Sequence, residues 1–436
     1  MYQLYGVPGT STELGWEVGL PLLGIVLLLC LAVPVWVALG FGAIGLLVMT
    51  DVMPLTLFGE ALFSGIDAFA LIAIPLFILT GDVLVRSGLS DKLLDIAEAT
   101  MGSLKSGFGT STVLGCGFFA CISGSDAAGA AAVGRITYAR LVEAGYPRPY
   151  ACALVASGAC TGILIPPSIA YIIIGLVLGI SASTLFLAAA VPGVLIMASI
   201  MLTNVVINRL HGYENSSAAF SFRRWLRAVW AGKFALMVPV VILGGIYSGI
   251  FTPTEAAAVA VVTTIVIGLF QGTLTLDDFP KMLLSSAKVN GVILPIIAFS
   301  LPLAQALASL EVPQTFVGAI TDLTEDPTVI LLLMLGIFIA AGCVMETTPN
   351  IVILAPIMLP LAENIGMNDI HFCIFMVTAL GVGFVTPPLG LNLFVLAGLT
   401  GESVMAIALR AVPYVIVMLA VVLLLAFIPA LSLWAI

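Results

Sequence analysis

The chain has 436 residues, of which 61% are hydrophobic and 8% charged, and its mean hydropathy is +1.23. A soluble domain carries roughly 25% charged residues to cover its surface, so the composition excludes a water-soluble globular protein and points to an all-α chain in a lipid bilayer. The net charge of −9 comes with no basic stretch of the kind that binds nucleic acid.

Residues 1–19 hold Glu13 and Glu17 and no lysine or arginine, so no cleavable signal is expected there. The run 20–50 has no charge and contains Pro34. It is long for one crossing of about 20 residues and short for two. Residues 61–85 read as a helix carrying Asp67 and Asp82, and 106–125 as an uncharged, glycine-rich stretch. Asp126 follows, then a small apolar run to Gly134. Residues 149–208 contain no charge, and Gly162 and Pro166-Pro167 interrupt the first of at least two crossings there. In the second half, Glu255 separates two apolar runs, 234–254 and 256–276, and 289–310 forms another. The runs 327–345 and 347–362 flank the polar cluster Glu346-Thr347-Thr348-Pro349-Asn350. Residues 370–401 contain Thr386-Pro387-Pro388, and 403–436 form the last span, with Arg410. Cys30, Cys116, Cys121, Cys152, Cys160, Cys343 and Cys373 fall inside apolar segments without a CxxC pair, as buried packing residues do.

Orientation follows from the cytoplasmic excess of lysine and arginine. Three loops hold Arg86, Lys92 and Lys105; Arg135, Arg140 and Arg148; and Arg209, Arg223, Arg224, Arg227 and Lys233. With all three inside, residues 106–134 begin and end in the cytoplasm and are too few for two crossings. They form a re-entrant hairpin with its tip at Ser123-Gly124-Ser125; the alternative is a single crossing. Lys281 and Lys288 precede 289–310, while 311–326 and 363–369 carry only acids. Residues 327–362 then form a second hairpin from the opposite face, with its tip at Glu346 to Asn350.

The hairpin tips Ser123 and Thr347 are 224 positions apart, and the breaks Pro166 and Pro387 are 221 apart. Near-equal offsets with opposite faces describe an inverted repeat. The expected organisation is a first repeat (1–208), a basic cytoplasmic linker (209–233) and a second repeat (234–436). The broken helices cover about 149–180 and 370–400. The repeat also splits 20–50 into two short helices. Each half would contain two apolar runs, a short amphipathic stretch, one helix, a hairpin, a Pro-Pro-broken helix and a final helix.

A break frees carbonyls on one side and N–H groups on the other. The carbonyl ends suit Na⁺, and the N–H ends suit a carboxylate through the helix dipole. Ser123, Ser125, Ser168, Thr347, Thr348, Asn350, Thr386 and Asn392 cluster at the four irregular places. Of these, Ser125, Ser168, Thr347, Thr348, Asn350 and Asn392 are the candidate substrate-binding groups. Capping of half-helices is the competing role for each. Asp82, Asp126 and Glu346 are intramembrane acids and hence functional candidates. His371 and Arg410 lie near span ends, where interfacial placement is expected.

The most specific stretches are Leu71-Ile-Ala-Ile-Pro-Leu-Phe-Ile-Leu-Thr-Gly81, Ser123-Gly-Ser125 with its alanine-rich helix, Gly162-Ile-Leu-Ile-Pro-Pro-Ser168, and Thr386-Pro-Pro-Leu-Gly-Leu-Asn392. With these the chain resembles, over nearly its whole length, the large (DctM-like) membrane subunit of tripartite ATP-independent periplasmic (TRAP) transporters. The resemblance implies elevator-type, Na⁺-coupled uptake of a small organic anion, of C4-dicarboxylate or sialic-acid type, across the bacterial inner membrane. It implies two partners, a small four-helix membrane subunit and a periplasmic substrate-binding protein. It places one Na⁺ on Ser123, Gly162, Ile165 and Pro167, and a second on Gly342, Gly383 and Thr386. Asp126 departs from the family, which commonly has a small hydroxyl residue there. No cofactor besides the coupling ion is expected. The alternatives are a self-sufficient Na⁺/dicarboxylate symporter, a channel, or a membrane enzyme built on Asp82, Asp126 and Glu346. The last lacks a nucleotide loop and has only two histidines, His211 and His371.

Overall fold

The computed structural model describes residues 15–31, 33–104, 106–214 and 221–436. Glu13 and Lys105 lie outside the described residues, as does the side chain of Cys30. The run 20–50 is two helices, α1 (Trp16–Cys30) and α2 (Val35–Thr50), with Pro34 at the start of the second. Residues 61–85 are not one helix. α3 (Leu55–Ile66) stops at Asp67, and a 3-10 turn (Phe69–Ile72) leads into α4 (Ala73–Arg86). Gly65 and Asp67, both poor helix formers, sit at this break. α5 (Leu89–Met101) is amphipathic, burying Leu89, Leu93, Leu94 and Ile96 while Asp91, Lys92, Asp95 and Glu98 occupy other positions.

A helical hairpin follows, α6 (Gly107–Ser123) and α7 (Asp126–Glu143). Its second arm runs nine residues past Gly134, so Arg135 and Arg140 stand on a helix rather than in a loop. The first broken helix comprises α8 (Arg148–Ala159), α9 (Thr161–Leu164) and α10 (Ile169–Leu178), and α11 (Ala182–His211) closes this half. The basic linker contains its own helix, α12 (Phe222–Ala231), which meets α13 (Lys233–Tyr247) at 72°.

In the second half come α14 (Pro253–Phe270), α15 (Phe279–Ser309) and α16 (Val312–Leu323). Lys281 and Lys288 stand on α15, not before it. At 31 residues α15 is about 46 Å long, against a hydrocarbon layer of about 30 Å, so its first turns reach the headgroups where lysine is tolerated. The second hairpin is α17 (Pro327–Val344) and α18 (Thr347–Asn364). The second broken helix is α19 (Asp369–Gly383) and α20 (Leu391–Thr400), and α21 (Val404–Phe427) is the last α-helix, followed by a 3-10 turn (Pro429–Leu431). Each half also has a helix between its long helix and its hairpin, α5 and α16, which the element order read from sequence lacked. Both Pro-Pro bonds, Pro166-Pro167 and Pro387-Pro388, are cis.

Among the described residues, seven helices are long and apolar enough to cross a membrane, or eight if the bent α12–α13 pair forms one span. Burial separates them. In the broken segment Arg148–Leu178, 78% of the apolar window is buried, against 33–44% for the other six. The broken helix is therefore central, and the others turn part of their surface to lipid. α19 is equally interior, with every residue from His371 to Gly383 buried. Around this centre, α10 packs on α18 of the second hairpin and α20 packs on α7 of the first. α1, α2 and α3 form a separate apolar layer against α15, with Leu39, Leu46, Phe58, Ile296 and Leu303 in its core.

The polar contacts at one end link the first hairpin to α5 and α12. Glu98 accepts from Arg140 of α7 and, at 2.9 Å, from Arg224 of α12. Beside them the buried Glu214 carboxylate accepts from the Phe108 N–H at 3.0 Å and the Tyr146 hydroxyl at 2.9 Å. Glu214 thus satisfies N–H groups at the start of α6 that no helical carbonyl can reach. Replacing it with alanine strands those donors in a buried place, at about 3 kcal/mol. A fluorescence melt in detergent should show Glu214→Ala markedly less stable than the exposed-residue control Glu363→Ala.

Candidate functional site

The first hairpin turns at Gly124, whose φ of +62° is left-handed, a conformation glycine adopts without steric cost. The tip rests on the first broken helix. The Ile169 N–H donates to the Gly124 carbonyl at 3.3 Å. A side chain at Gly162 would lie 2.6 Å from the Asp126 nitrogen, and one at Gly124 would lie 2.8 Å from the Pro167 carbonyl oxygen. Ser123, Gly162 and Pro167 therefore share one small volume. Ser123 is buried, with its Oγ 3.5 Å from the Ser125 carbonyl. Ile165 is extended at φ −84° and ψ 124°, ending α9 and exposing backbone at the break.

The second hairpin repeats the contact. Leu389, just past the second Pro-Pro pair, donates its N–H to the Cys343 carbonyl at 2.8 Å. Gly342 and Gly383 bring two helix backbones together, since a Cβ on Gly383 would lie 2.3 Å from the Gly342 carbonyl carbon. Thr386 sits one turn on, its hydroxyl donating to the Val382 carbonyl at 2.9 Å.

Between the tips lies a cavity of about 60 Å³, room for a few waters at about 10–15 Å³ each. Ser125, Asp126, Glu346, Thr347 and Thr348 supply its polar wall, together with the Gly124 backbone. Ile78 of α4, Ile163 of α9, Ile169 and Ala170 of α10, and Val289 and Ile293 of α15 supply the apolar one. Three of the six candidate substrate groups, Ser125, Thr347 and Thr348, thus meet in one place.

The other three do not line it. Ser168 is wholly buried and donates to the Ile163 carbonyl at 2.7 Å, holding the break closed. Asn350 donates to the carbonyls of Ala341 and Met345 at 3.1 and 3.0 Å, stapling the second tip. Asn392 reaches across to the Ala156 carbonyl at 3.2 Å, joining the second broken helix to the first. Each donates to a main-chain carbonyl near a helix end, the contact a capping role requires, while Oδ1 of Asn350 and of Asn392 accepts no hydrogen bond among the described residues. Asp82 and Arg410 also stand apart from the cavity, Arg410 exposed in the second turn of α21. His371, in the first turn of α19, is 1% exposed and its Nδ1 lies 2.6 Å from the Ser432 Oγ. The sequence reading missed Ile78, Val289 and Ile293. The i, i+4 spacing of Val289 and Ile293 marks one face of α15, but the same spacing recurs along every buried helix.

Comparison with known proteins follows this geometry. Residues 22–431 match the family model of the tripartite ATP-independent periplasmic transporter, DctM component. The C4-dicarboxylate TRAP transporter large permease protein DctM of Pseudomonas aeruginosa is 37% identical over 373 residues, covering 85% of this chain and 87% of that protein. The sialic acid TRAP transporter large permease protein SiaM of Vibrio cholerae is 30% identical over 371 residues, again 85% and 87%. The isethionate TRAP transporter permease protein DctMQ of Oleidesulfovibrio alaskensis is 35% identical over 94% of this chain, which spans 64% of that protein's length. Among solved structures, the YdaH transporter of Alcanivorax borkumensis has a TM-score of 0.62 at 15% identity, covering 94% of this chain and 97% of its own. MtrF of Neisseria gonorrhoeae has a TM-score of 0.58 at 15% identity, covering 95% and 94%. These two share the fold.

The Gly342–Gly383 crossing yields a direct test. Gly383→Ala forces a methyl into a neighbouring backbone, which cannot rotate away as a side chain could, at about 1–3 kcal/mol. Gly398→Ala meets nothing within 4 Å. Thermal melts of the two variants should separate, with Gly383→Ala lowered and Gly398→Ala at or above the parent.

Proposed function

This chain belongs to the DctM component family of tripartite ATP-independent periplasmic transporters, and from that premise we propose that it is the substrate-translocating subunit of a Na⁺-coupled importer. It is a multi-pass membrane protein of a solute-transport family. In this reading it sits in a bacterial inner membrane and takes up a small organic anion of the C4-dicarboxylate or sialic-acid type. The relatives named for C4-dicarboxylate, sialic acid and isethionate support an acidic solute. A periplasmic binding protein delivers the solute, and a small membrane subunit packs on the outer helices.

The observation that carries the reading is the pairing of each hairpin tip with a Pro-Pro break, with both tips and the first break lining one cavity. Broken helices in repeated halves are a recurrent way to build a mid-membrane site. In the proposed mechanism one Na⁺ occupies the volume around Ser123, Gly162, Ile165 and Pro167, and a second that around Gly342, Gly383 and Thr386. Main-chain carbonyls supply most ligands. They need no charged side chain, and the close glycine contacts keep other atoms out. The solute then binds between the two tips, where Ser125, Thr347, Thr348 and the helix N-termini offer donors to its acid group.

The two halves act as inverted repeats in this scheme, residues 1–208 and 234–436. The hairpins and broken helices move as one body against the layer of α1, α2, α3 and α15. The apolar cluster that α1, α2 and α3 share with α15, against which Ile353 and Ile357 of the second hairpin pack, is what supports an apolar moving interface there.

Uptake into proteoliposomes, with both partners supplied and a Na⁺ gradient applied, tests the coupling. Ser123→Ala and Thr386→Ala should each weaken apparent Na⁺ affinity about tenfold, the worth of one lost oxygen contact. Unchanged Na⁺ dependence in both variants would overturn the ion assignment.

A further inference from the structure

The cavity between the tips is lined by two carboxylates, Asp126 and Glu346, that no basic side chain among the described residues pairs. α7 already has its cap, since the Ala128 N–H donates to Ser125 Oγ at 3.4 Å. Asp126 is the first residue of that helix and is 5% exposed, yet its Oδ2 has no hydrogen-bond partner. Glu346 stands at the cap position of α18, and its side chain accepts no cap hydrogen bond there. Its residue is exposed at the cavity's edge. The ion pairs found among the described residues involve neither acid. Among the described residues no lysine, arginine or histidine lines the cavity.

A buried carboxylate with a free oxygen is held against a large desolvation cost unless a cation meets it or a proton neutralises it, and the charged form is the one that a positive group on a solute would select. A divalent metal ion lacks a side-chain ligand set here. Among the described residues no group of three acids, histidines or cysteines comes together, whereas Ca²⁺ and other hard divalent ions take a larger oxygen set. The same cavity also receives the N-termini of α7, α10 and α18, through Asp126, Ile169 and Thr347. Those helix ends favour an anion. One small site therefore presents both signs, backbone dipoles for an acid group and two carboxylates for a positive one.

We propose that the transported solute is a zwitterion, an organic acid that also carries a protonated amine. The ammonium lies between Asp126 of the first hairpin and Glu346 of the second. The acid group faces the N-termini of α10 and α18, and the carbon body lies along Ile163 and Ile293. This rests on the transport reading above and narrows its substrate class.

Two matched pairs of solutes test it. Taurine is isethionate with its hydroxyl replaced by an ammonium, and aspartate is succinate with an ammonium added. Thermal melts of the purified full-length chain are measured in saturating Na⁺ with each compound. The parent should respond to taurine or aspartate at concentrations about tenfold lower than to its partner, as a charge-assisted hydrogen bond warrants. Asp126→Asn and Glu346→Gln should each remove that preference, with the Na⁺-induced shift in solute-free buffer unchanged. Both replacements keep the side-chain shape, and the unliganded melt checks each fold. Equal or stronger responses to isethionate and succinate, no response to any of the four, or a preference that survives both variants overturns the proposal. A change confined to the Na⁺ response also overturns it, by giving the acids to the coupling ion. The proteoliposome assay separates this failure from that of the broader reading. Na⁺-driven uptake of succinate or isethionate without ammonium preference defeats the zwitterion alone, whereas no Na⁺-driven uptake of any acid defeats both.

Discussion

A backbone group freed inside a membrane has no water to turn to, so every helix break in this chain must find a partner within the protein. That constraint organises the centre of the molecule. The first hairpin tip offers its Gly124 carbonyl to Ile169 beyond the first break, and the second offers its Cys343 carbonyl to Leu389 beyond the other. Ser168, Asn350 and Asn392 spend their side chains on carbonyls at the same places. A hairpin and a broken helix are thus each incomplete alone. Their mutual dependence explains why α8, α9 and α19, which lead into the two breaks, are buried along nearly their whole length.

The same constraint explains what was legible in the sequence. Proline pairs and polar clusters inside apolar runs are conspicuous, because nothing but a break justifies them there. The tips at Ser123 to Ser125 and Glu346, the breaks at Pro166 and Pro387, and the division at Pro34 were all readable. Where charge was used as punctuation the reading erred. Arg140 and Lys281 stand on α7 and α15, because a helix does not end where the hydrocarbon ends. The linker also concealed α12, whose Phe222, Arg223, Trp225, Arg227 and Trp230 alternate aromatic and basic character through ten residues. Nor could sequence separate a hydroxyl that faces the cavity from one that satisfies its own backbone. Thr347 and Ser168 are both small, polar and next to a break, and only the fold tells that Ser168 is committed to Ile163.

At one membrane face the economy differs, because charges can pair in the presence of water. Glu98 receives two guanidinium groups, from the first hairpin and from α12, so the amphipathic α5 is clamped between the hairpin and the linker. Exposed ion pairs contribute little individually, about 0–1 kcal/mol. Their role here is geometric, since Arg140 and Arg224 can share one carboxylate only in one relative position of three helices. The buried Glu214, which follows α11 and meets the start of the same hairpin, does the energetic part, accepting from Phe108 and Tyr146.

Neutral and charged groups divide the work at the centre for a reason that concerns the empty site. A transporter must return without its cargo, and each ligand must then tolerate a vacant partner. Carbonyls do so at small cost, because they carry no net charge and lie next to helix ends whose hydrogen bonds can tighten. This favours a carbonyl cage for the proposed ion sites, and such a cage needs backbones closer than any side chain allows, hence Gly162, Gly342 and Gly383. A carboxylate tolerates vacancy only where water can replace the departed cation. Glu346 meets that condition, being exposed at the cavity's edge, and Asp126 meets it through the cavity the two residues share. The acids therefore stand where hydration is within reach, and the carbonyls proposed to bind the ions stand where it is not required.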